Sequence, residues 1–598
     1  MSTSYNGKIL RVNLTDRSCK VENLDLALAK KFIGGRGLGS KILFDEIDPK
    51  VDPLSAGNKI VIATGPLTGV AVPTGCRYMV ITKSPLNNLI ACSNSGGVWG
   101  AKLKYAGYDV MIIEGKADKP VYINIVDDKC EILDAGDLWG HETEHVEEAL
   151  KGRHANCSVL NIGTGGETLS LLAAVMNDAE RAAGRSGVGA VLGSKNLKAI
   201  CCAATKTAIE PANAAAMKDV VSKANKLIKD HALTGEALGK YGTGVLVNIL
   251  NSIGAYPTKN WQEAQFAEAE ATSGETMTEK ALVKQGFCHR CPIGCGRVVK
   301  LDGKNSAGAE YETLWSYGAS CGVSDMESIN RANRACNETG IDTISAGCTI
   351  AAAMELYQRG LIKEEECEGV PLKWGSGEAI VKWTERMGRG ETKLGKLMAQ
   401  GSYKLCEHYG APQYSMSVKR LDMPAYDARA IQGIGLTYAT SNRGGCHVRG
   451  YTIAPEVAGI PEKLDMASIE NKHTWSILFQ NLTSVIDSAG LCLFTSFALG
   501  ADVYADMLNA ATGTDYDVNK LLEAGERIYN LERWFNQKAG MKPEEDNLPD
   551  RLLKEPIPAG PAKGGLSRLP EMLPEYYKAR GWEKAFPTDA TLQRLGLK

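Results

Sequence analysis

The sequence predicts an α+β protein: a β-rich N-terminal region followed by two mainly α-helical domains. Three observations carry this. The first ~200 residues read as short β-rich runs separated by Gly-rich turns. Ala203 to Ala215 is Ala/Thr/Pro-rich, nearly lacks large apolar residues and marks a boundary. Beyond it, Ala346–Leu361, Ser468–Ile486 and Val518–Ala539 carry apolar residues at helical spacing over helical lengths.

The expected strands are 8–12, 59–63, 77–82, 109–114 and 121–126, each bounded by Gly, Pro, Asn or Asp. Asp127-Asp128, between 121–126 and 130–133, reads as a hairpin turn. Pro556, Pro558, Pro561 and Gly564-Gly565 mark an extended segment that wraps the surface. At 598 residues, 44% hydrophobic and 23% charged, the chain falls in the globular class. A net charge of −2 gives no reason to expect a nucleic-acid partner. No apolar run approaches the ~20 residues of a membrane span, and the first residues show no charged and then apolar leader, so a cytoplasmic protein is expected.

The informative surplus is 17 Cys beside only 8 His. In a reducing compartment metal ligation explains such a surplus better than disulfides. Cys288-His-Arg-Cys291-Pro-Ile-Gly-Cys295 puts three thiols within one loop, spacing that suits three irons of a [4Fe–4S] cube. The remote fourth ligand could be Cys321, Cys336, Cys348, Cys367, Cys406, Cys446 or Cys492, and spacing does not choose among them. Tetrahedral zinc, with His289 completing three Cys, and three unligated core cysteines are the rival readings.

Gly clusters at 34–39, 64–69, 94–97 and 184–189 let backbone amides approach a ligand, and nearby Arg36, Arg77, Arg181 and Arg185 offer forked donors for phosphate. Each cluster alone could equally be a set of turn glycines. None fits a Rossmann or Walker fingerprint. His141-Glu-Thr-Glu-His145 matches HExxH, but Gly140 sets His141 at a helix start, so a polar helix start is the better reading.

Taken together, Gly34–Gly39, Ala63–Gly69, Gly75-Cys76-Arg77, Ala91–Gly100, Asn177–Gly193, the cysteine run, Glu310–Leu314, Arg443–Arg449 and Asp487–Cys492 resemble the tungsten-containing aldehyde:ferredoxin oxidoreductase family, nearly end to end. The resemblance implies three domains, expected at 1–208, 209–415 and 416–598. It implies a tungsten bis-pterin on the N-terminal base, a [4Fe–4S] cluster and Mg²⁺ bridging the pterin phosphates. Asp487-Ser-Ala-Gly490-Leu-Cys492 matches the family's DxxGL(C/D) motif, making Cys492 the fourth cluster ligand beside Cys288, Cys291 and Cys295, and Asp487 a pterin partner. Asn337-Glu-Thr-Gly340-Ile-Asp342 is the sister motif, with Asn and Ile replacing its acid and Leu; Asp342 is retained.

Arg77, Asn94, Arg181, Ala182 and Arg449 correspond to positions holding the phosphates or Mg²⁺, with Asn94 and Ala182 acting through backbone carbonyls. Glu312 and His447 correspond to the acid and His beside the metal. No protein side chain ligates tungsten in this family, so Cys446 is not expected to. Met326–Cys336 lacks the ExxH motif of the archaeal dimer metal, leaving the oligomeric state open. The implied reaction interconverts aldehydes and carboxylic acids, with ferredoxin or a ferredoxin-like subunit as electron partner. Another substrate within the family (formaldehyde, a sugar-phosphate aldehyde, an aryl thioester) and a non-catalytic zinc or iron–sulfur protein are the alternatives.

Overall fold

The computed structural model describes residues 3–598. Twelve strands fill the N-terminal third: β1 Lys8–Asn13, β2 Ser18–Asn23, β3 Ile60–Thr64, β4 Tyr78–Lys83, β5 Ile90–Ser95, β6 Val110–Glu114, β7 Val121–Val126, β8 Lys129–Asp134, β9 Ser158–Asn161, β10 Val175–Asn177, β11 Arg181–Ala183 and β12 Leu197–Ala203. They form two six-stranded mixed sheets, ordered β2-β1-β6-β3-β4-β5 and β11-β10-β9-β12-β7-β8. β3 and β4 are buried along their whole length and mostly apolar, as strands covered on both faces must be. Between the sheets lies a core that includes Leu10, Val12, Ile62 and Val80 from the first and Val121, Ile123 and Ile200 from the second.

The expected strands form within a residue or two of their bounds. The β7–β8 hairpin turns at Asp127-Asp128, with Asp127 at φ +52°, the left-handed backbone a two-residue hairpin requires. The Gly34–Gly39 segment differs from the expected turn: it opens a helix, Gly35–Glu46. Its glycines serve close packing, since a Cβ on Gly35 would lie 2.4 Å from the Asp487 carbonyl oxygen. Arg36, expected near phosphate, is instead buried in a two-pronged ion pair with Glu532, Nε to Oε1 at 2.6 Å and Nη2 to Oε2 at 2.7 Å.

After an irregular link the chain turns helical. Asn213 caps Ala214–Asp230 by accepting from the Ala216 amide at 3.1 Å. The helix expected at 346–361 runs Thr343–Gln358, because Asp342 caps it three residues earlier than the periodicity suggests. The helix expected at 468–486 runs Lys472–Ala489 and stops at Gly490, φ +88°. Val518–Ala539 forms over the expected residues, capped by Asp517. A three-stranded sheet interrupts the helices: β13 Leu282–Gly286, β14 Gly296–Leu301 and β15 Lys304–Ala307. The Pro/Gly segment 556–565, expected to be extended, is instead a mostly exposed loop folded back on itself: its Pro and Gly residues turn the chain, the Gly564 amide donates to the Ile557 carbonyl at 2.9 Å and the Ile557 amide to the Gly565 carbonyl at 3.1 Å. No helix among the described residues is long and apolar enough to cross a membrane.

Candidate active site

A cavity of about 390 Å³ opens where the edge of the first sheet meets the helical part of the chain. The ends of several elements aim side chains into it. Asn94 comes from the edge strand β5, and Arg181 and Ala182 from β11. Glu312 sits in the first turn of the helix Tyr311–Tyr317, and Asp487 in the last turn of Lys472–Ala489. His447 and Arg449 share one short 3₁₀ turn. Arg77, Asn337 and Asp342 complete the expected set, so all ten proposed catalytic and pterin residues line one cavity.

His447 Nε2 lies 3.6 Å from Glu312 Oε1, with the side chains 15% and 16% exposed onto the cavity. Burial pushes the Glu312 carboxyl up to about 8, against the Ala425 amide, which donates to Oε2 at 3.1 Å, and the Arg185 guanidinium; Cys446 and Asp342 push it the same way as burial. Burial, with Arg185 and Arg443, holds His447 well below the usual imidazole range. Both shifts favour neutral forms at pH 7, so the contact is not an ion pair despite its length. Glu312 Oε1 and His447 Nδ1 have no hydrogen-bond partner in the protein. Buried polar atoms of this kind call for a ligand. Tyr426 and Tyr451 flank the imidazole at ring-centre distances of 5.5 and 5.8 Å.

The rest of the wall is strongly cationic. Arg77, Arg181, Arg185, Arg297, Arg443 and Arg449 all line it. Arg77 Nε is buried and unpartnered, and Arg181 keeps only a long 3.4 Å bond to Glu310. Spare guanidinium donors in a closed cavity suit an anionic, phosphate-bearing group. Other candidates are already engaged. Asp487 accepts from Arg449, from Asn94 Nδ2 at 3.2 Å and from Arg36 at 3.4 Å. Asp342 caps its helix and pairs with Arg185 at 3.3 Å. Asn337 is engaged only through its main-chain carbonyl, which accepts from Thr143 Oγ1 at 2.7 Å.

Beside this cavity lies a narrower enclosed one, lined by Cys288, Cys291, Cys295 and Cys492 together with Cys76 and Arg77. Three of the thiols sit in the turn joining β13 to β14; the fourth follows Gly490 at the end of a helix 197 residues away in sequence (492 − 295). The turn needs Gly294 at φ +66°, where a Cβ would meet the Phe287 ring at 2.4 Å. All 17 cysteines are free. Among the described residues no three His, Cys, Asp or Glu side chains close on a single metal ion. Four thiols lining one cavity match the four ligands of a [4Fe–4S] cluster. Arg77 joins the two cavities: it donates to Cys492 Sγ at 3.2 Å and to Asn94 Oδ1 at 3.1 Å.

Sequence reasoning passed over Arg443, Arg297, Tyr426, Tyr451 and Cys76 as individual site residues. Arg443 and Cys76 lie inside segments it singled out; nothing in the sequence marks the others. It grouped Arg185 with the phosphate donors but assigned it no place. Cys446 does not line the cavity; it accepts from Arg443 Nη2 at 3.0 Å. In the HExxH segment the helix begins at Thr143, so His141 lies outside it and only His145 within.

Profiles of the family cover most of the chain. The aldehyde ferredoxin oxidoreductase N-terminal domain matches residues 9–204, and domains 2 and 3 match residues 219–597. The tungsten-containing aldehyde ferredoxin oxidoreductase of Pyrococcus furiosus is 51% identical over 598 residues, covering 99% of this chain and 98% of that protein. The protein of the same name in Pyrococcus abyssi is 50% identical, covering 99% of each. The solved active-site complex BamBC of benzoyl coenzyme A reductase, in complex with 1,5-dienoyl-CoA, superposes with a TM-score of 0.86 at 24% identity, covering 100% of this chain and 98% of that one, a likeness of fold.

Proposed function

The chain belongs to the aldehyde ferredoxin oxidoreductase family, and on that premise we propose that it interconverts aldehydes and carboxylic acids, exchanging electrons with ferredoxin or a ferredoxin-like subunit in the cytoplasm. The observation that carries this is the Glu312–His447 pair, with Glu312 Oε1 and His447 Nδ1 left without protein partners in a cavity ringed by arginines. The spare donors of Arg77 and Arg181 fit a tungsten bis-pterin, and the four-thiol cavity fits a [4Fe–4S] cluster. When bound, these groups would supply a two-electron acceptor beside the substrate and a one-electron relay towards the partner.

The chain's own residues divide the remaining work. Arg77, Arg181 and Arg449 would hold the pterin phosphates, and the backbone carbonyls of Asn94 and Ala182 would hold Mg²⁺. Asn337, Asp342 and Asp487 would bind the pterin; Asp487 also keeps Arg449 and Asn94 in position. Glu312 takes a proton from the water or hydrate that attacks the aldehyde carbon. His447, neutral, donates a hydrogen bond to the carbonyl oxygen as negative charge develops there. Cys288, Cys291, Cys295 and Cys492 would hold the cluster, with Arg77 bonded to Cys492 on that side and to Asn94 on the other. The β base at 1–208 and helical domains at 209–415 and 416–598 form the three-part scaffold.

Elemental analysis with a viologen-linked aldehyde assay tests the reading. About four iron and one tungsten per chain with aldehyde turnover support it. Zinc alone, with no turnover of any aldehyde, defeats it.

A further inference from the structure

Away from both cavities, two thiols touch. Cys19 in β2 and Cys130 in β8 bring their Sγ atoms to 2.7 Å across 111 residues of sequence. β2 is the outer strand of the first sheet and β8 the outer strand of the second, so the contact lies on the seam where the two sheet edges meet. Cys19 stands opposite Val12 in the β1–β2 register and Cys130 opposite Ile125 in β7–β8. Both rest against the core between the sheets, and both are half-buried rather than sealed. Neither lines the central or the cysteine cavity.

We propose that Cys19 and Cys130 form a reversible redox pair, closed to a disulfide by a low-molecular-weight disulfide and reopened by a dithiol, that staples the two sheets at their outer strands. The contact is symmetric and both thiols are half-buried, so either can open the exchange. Where Cys19 opens it, its thiolate attacks one sulfur of the external disulfide, forms a mixed disulfide and expels one thiolate. Cys130 then gives up its proton, attacks Cys19 Sγ and expels the second. Two cysteine thiols are oxidised, one external disulfide is reduced to two thiols, and the two cysteine protons pass to the expelled thiolates.

Two other thiol pairs show why this one is singled out. Cys76 shares the cysteine cavity with Cys288, and the neighbouring thiols of Cys157 and Cys201 are closed off, since both residues are buried and Cys201 wholly so. Only Cys19 and Cys130 combine contact, access and distance from the proposed cluster. Closing the bond ties two sheet edges that otherwise meet only through side chains.

The test treats the holoenzyme anaerobically with oxidised glutathione, blocks remaining thiols under denaturing conditions, and maps peptides without reductant. The expected result is a linked peptide pair containing Cys19 and Cys130, two fewer blocked thiols, and full reversal by dithiothreitol. In Cys130→Ser the first step has no resolving partner, so a glutathione adduct persists on Cys19. Cys19 and Cys130 both fully blocked after treatment, or each carrying glutathione with no link between them, would overturn the proposal.

Discussion

Glu312 Oε1 and His447 Nε2 stand 3.6 Å apart, too far for a hydrogen bond and, with both groups driven towards neutrality, without the charges of an ion pair. Burial, the leading cause at each group, sets a carboxyl that holds its proton near neutral pH beside an imidazole free of its second one. Such a pair can take up or donate a proton without first breaking a protein contact.

A pH dependence follows. With its carboxyl pushed up to about 8, Glu312 is mostly protonated at pH 7, and only the ionised form can act as a base. Turnover of aldehyde should rise by about tenfold per pH unit below that value and level off above it. A profile of kcat/KM between pH 6 and pH 9, measured with a dye acceptor, checks the sign; a rate that falls as pH climbs through this range removes Glu312 as the base.

Cys492→Ala takes one thiol from the four-thiol cavity and the sulfur from Arg77 Nη2, 3.2 Å away. Iron should drop below about four per chain while tungsten stays near one. Iron counted by elemental analysis at the wild-type level would show that the ligand lies elsewhere.

Glu532→Ala removes the partner of Arg36, a pair only 1% and 2% exposed. Leaving the buried guanidinium with only its 3.4 Å contact to Asp487 should cost up to about 3–5 kcal/mol. Asp487 and Asn442 reach the same network, so the loss should appear as a lower denaturation midpoint together with weaker cofactor retention. An unchanged midpoint would mean that the cavity wall does not depend on this pair.

Local features were legible in the sequence because their causes are local. The helix Val518–Ala539 has its cap Asp517 and its stop Gly540 adjacent in sequence, and the β7–β8 hairpin carries its turn residues between its strands. That Glu312 and His447 belong together was suggested only by resemblance, since they are separated by 135 residues (447 − 312) and no spacing links them. Arg36 was misread for the same reason: its partner Glu532 lies 496 residues on, and only the fold brings the two together. Gly34, Gly35 and Gly65 looked like phosphate loops, but their missing Cβ atoms make room for the backbone of Asp487–Gly490. Tyr426 and Tyr451 left no sequence signal because a tyrosine beside a cavity reads the same as one in a core.

The central claim is that Glu312 does proton chemistry on an aldehyde inside this cavity. The most direct test is Glu312→Gln, which keeps the side chain's size and its Ala425 contact but cannot take up a proton. Tungsten, iron and viologen-linked aldehyde turnover should be measured on the same sample. Wild-type metal content with turnover reduced by about 10²–10⁴-fold is the expected result; wild-type metal content with undiminished turnover would contradict the role of Glu312.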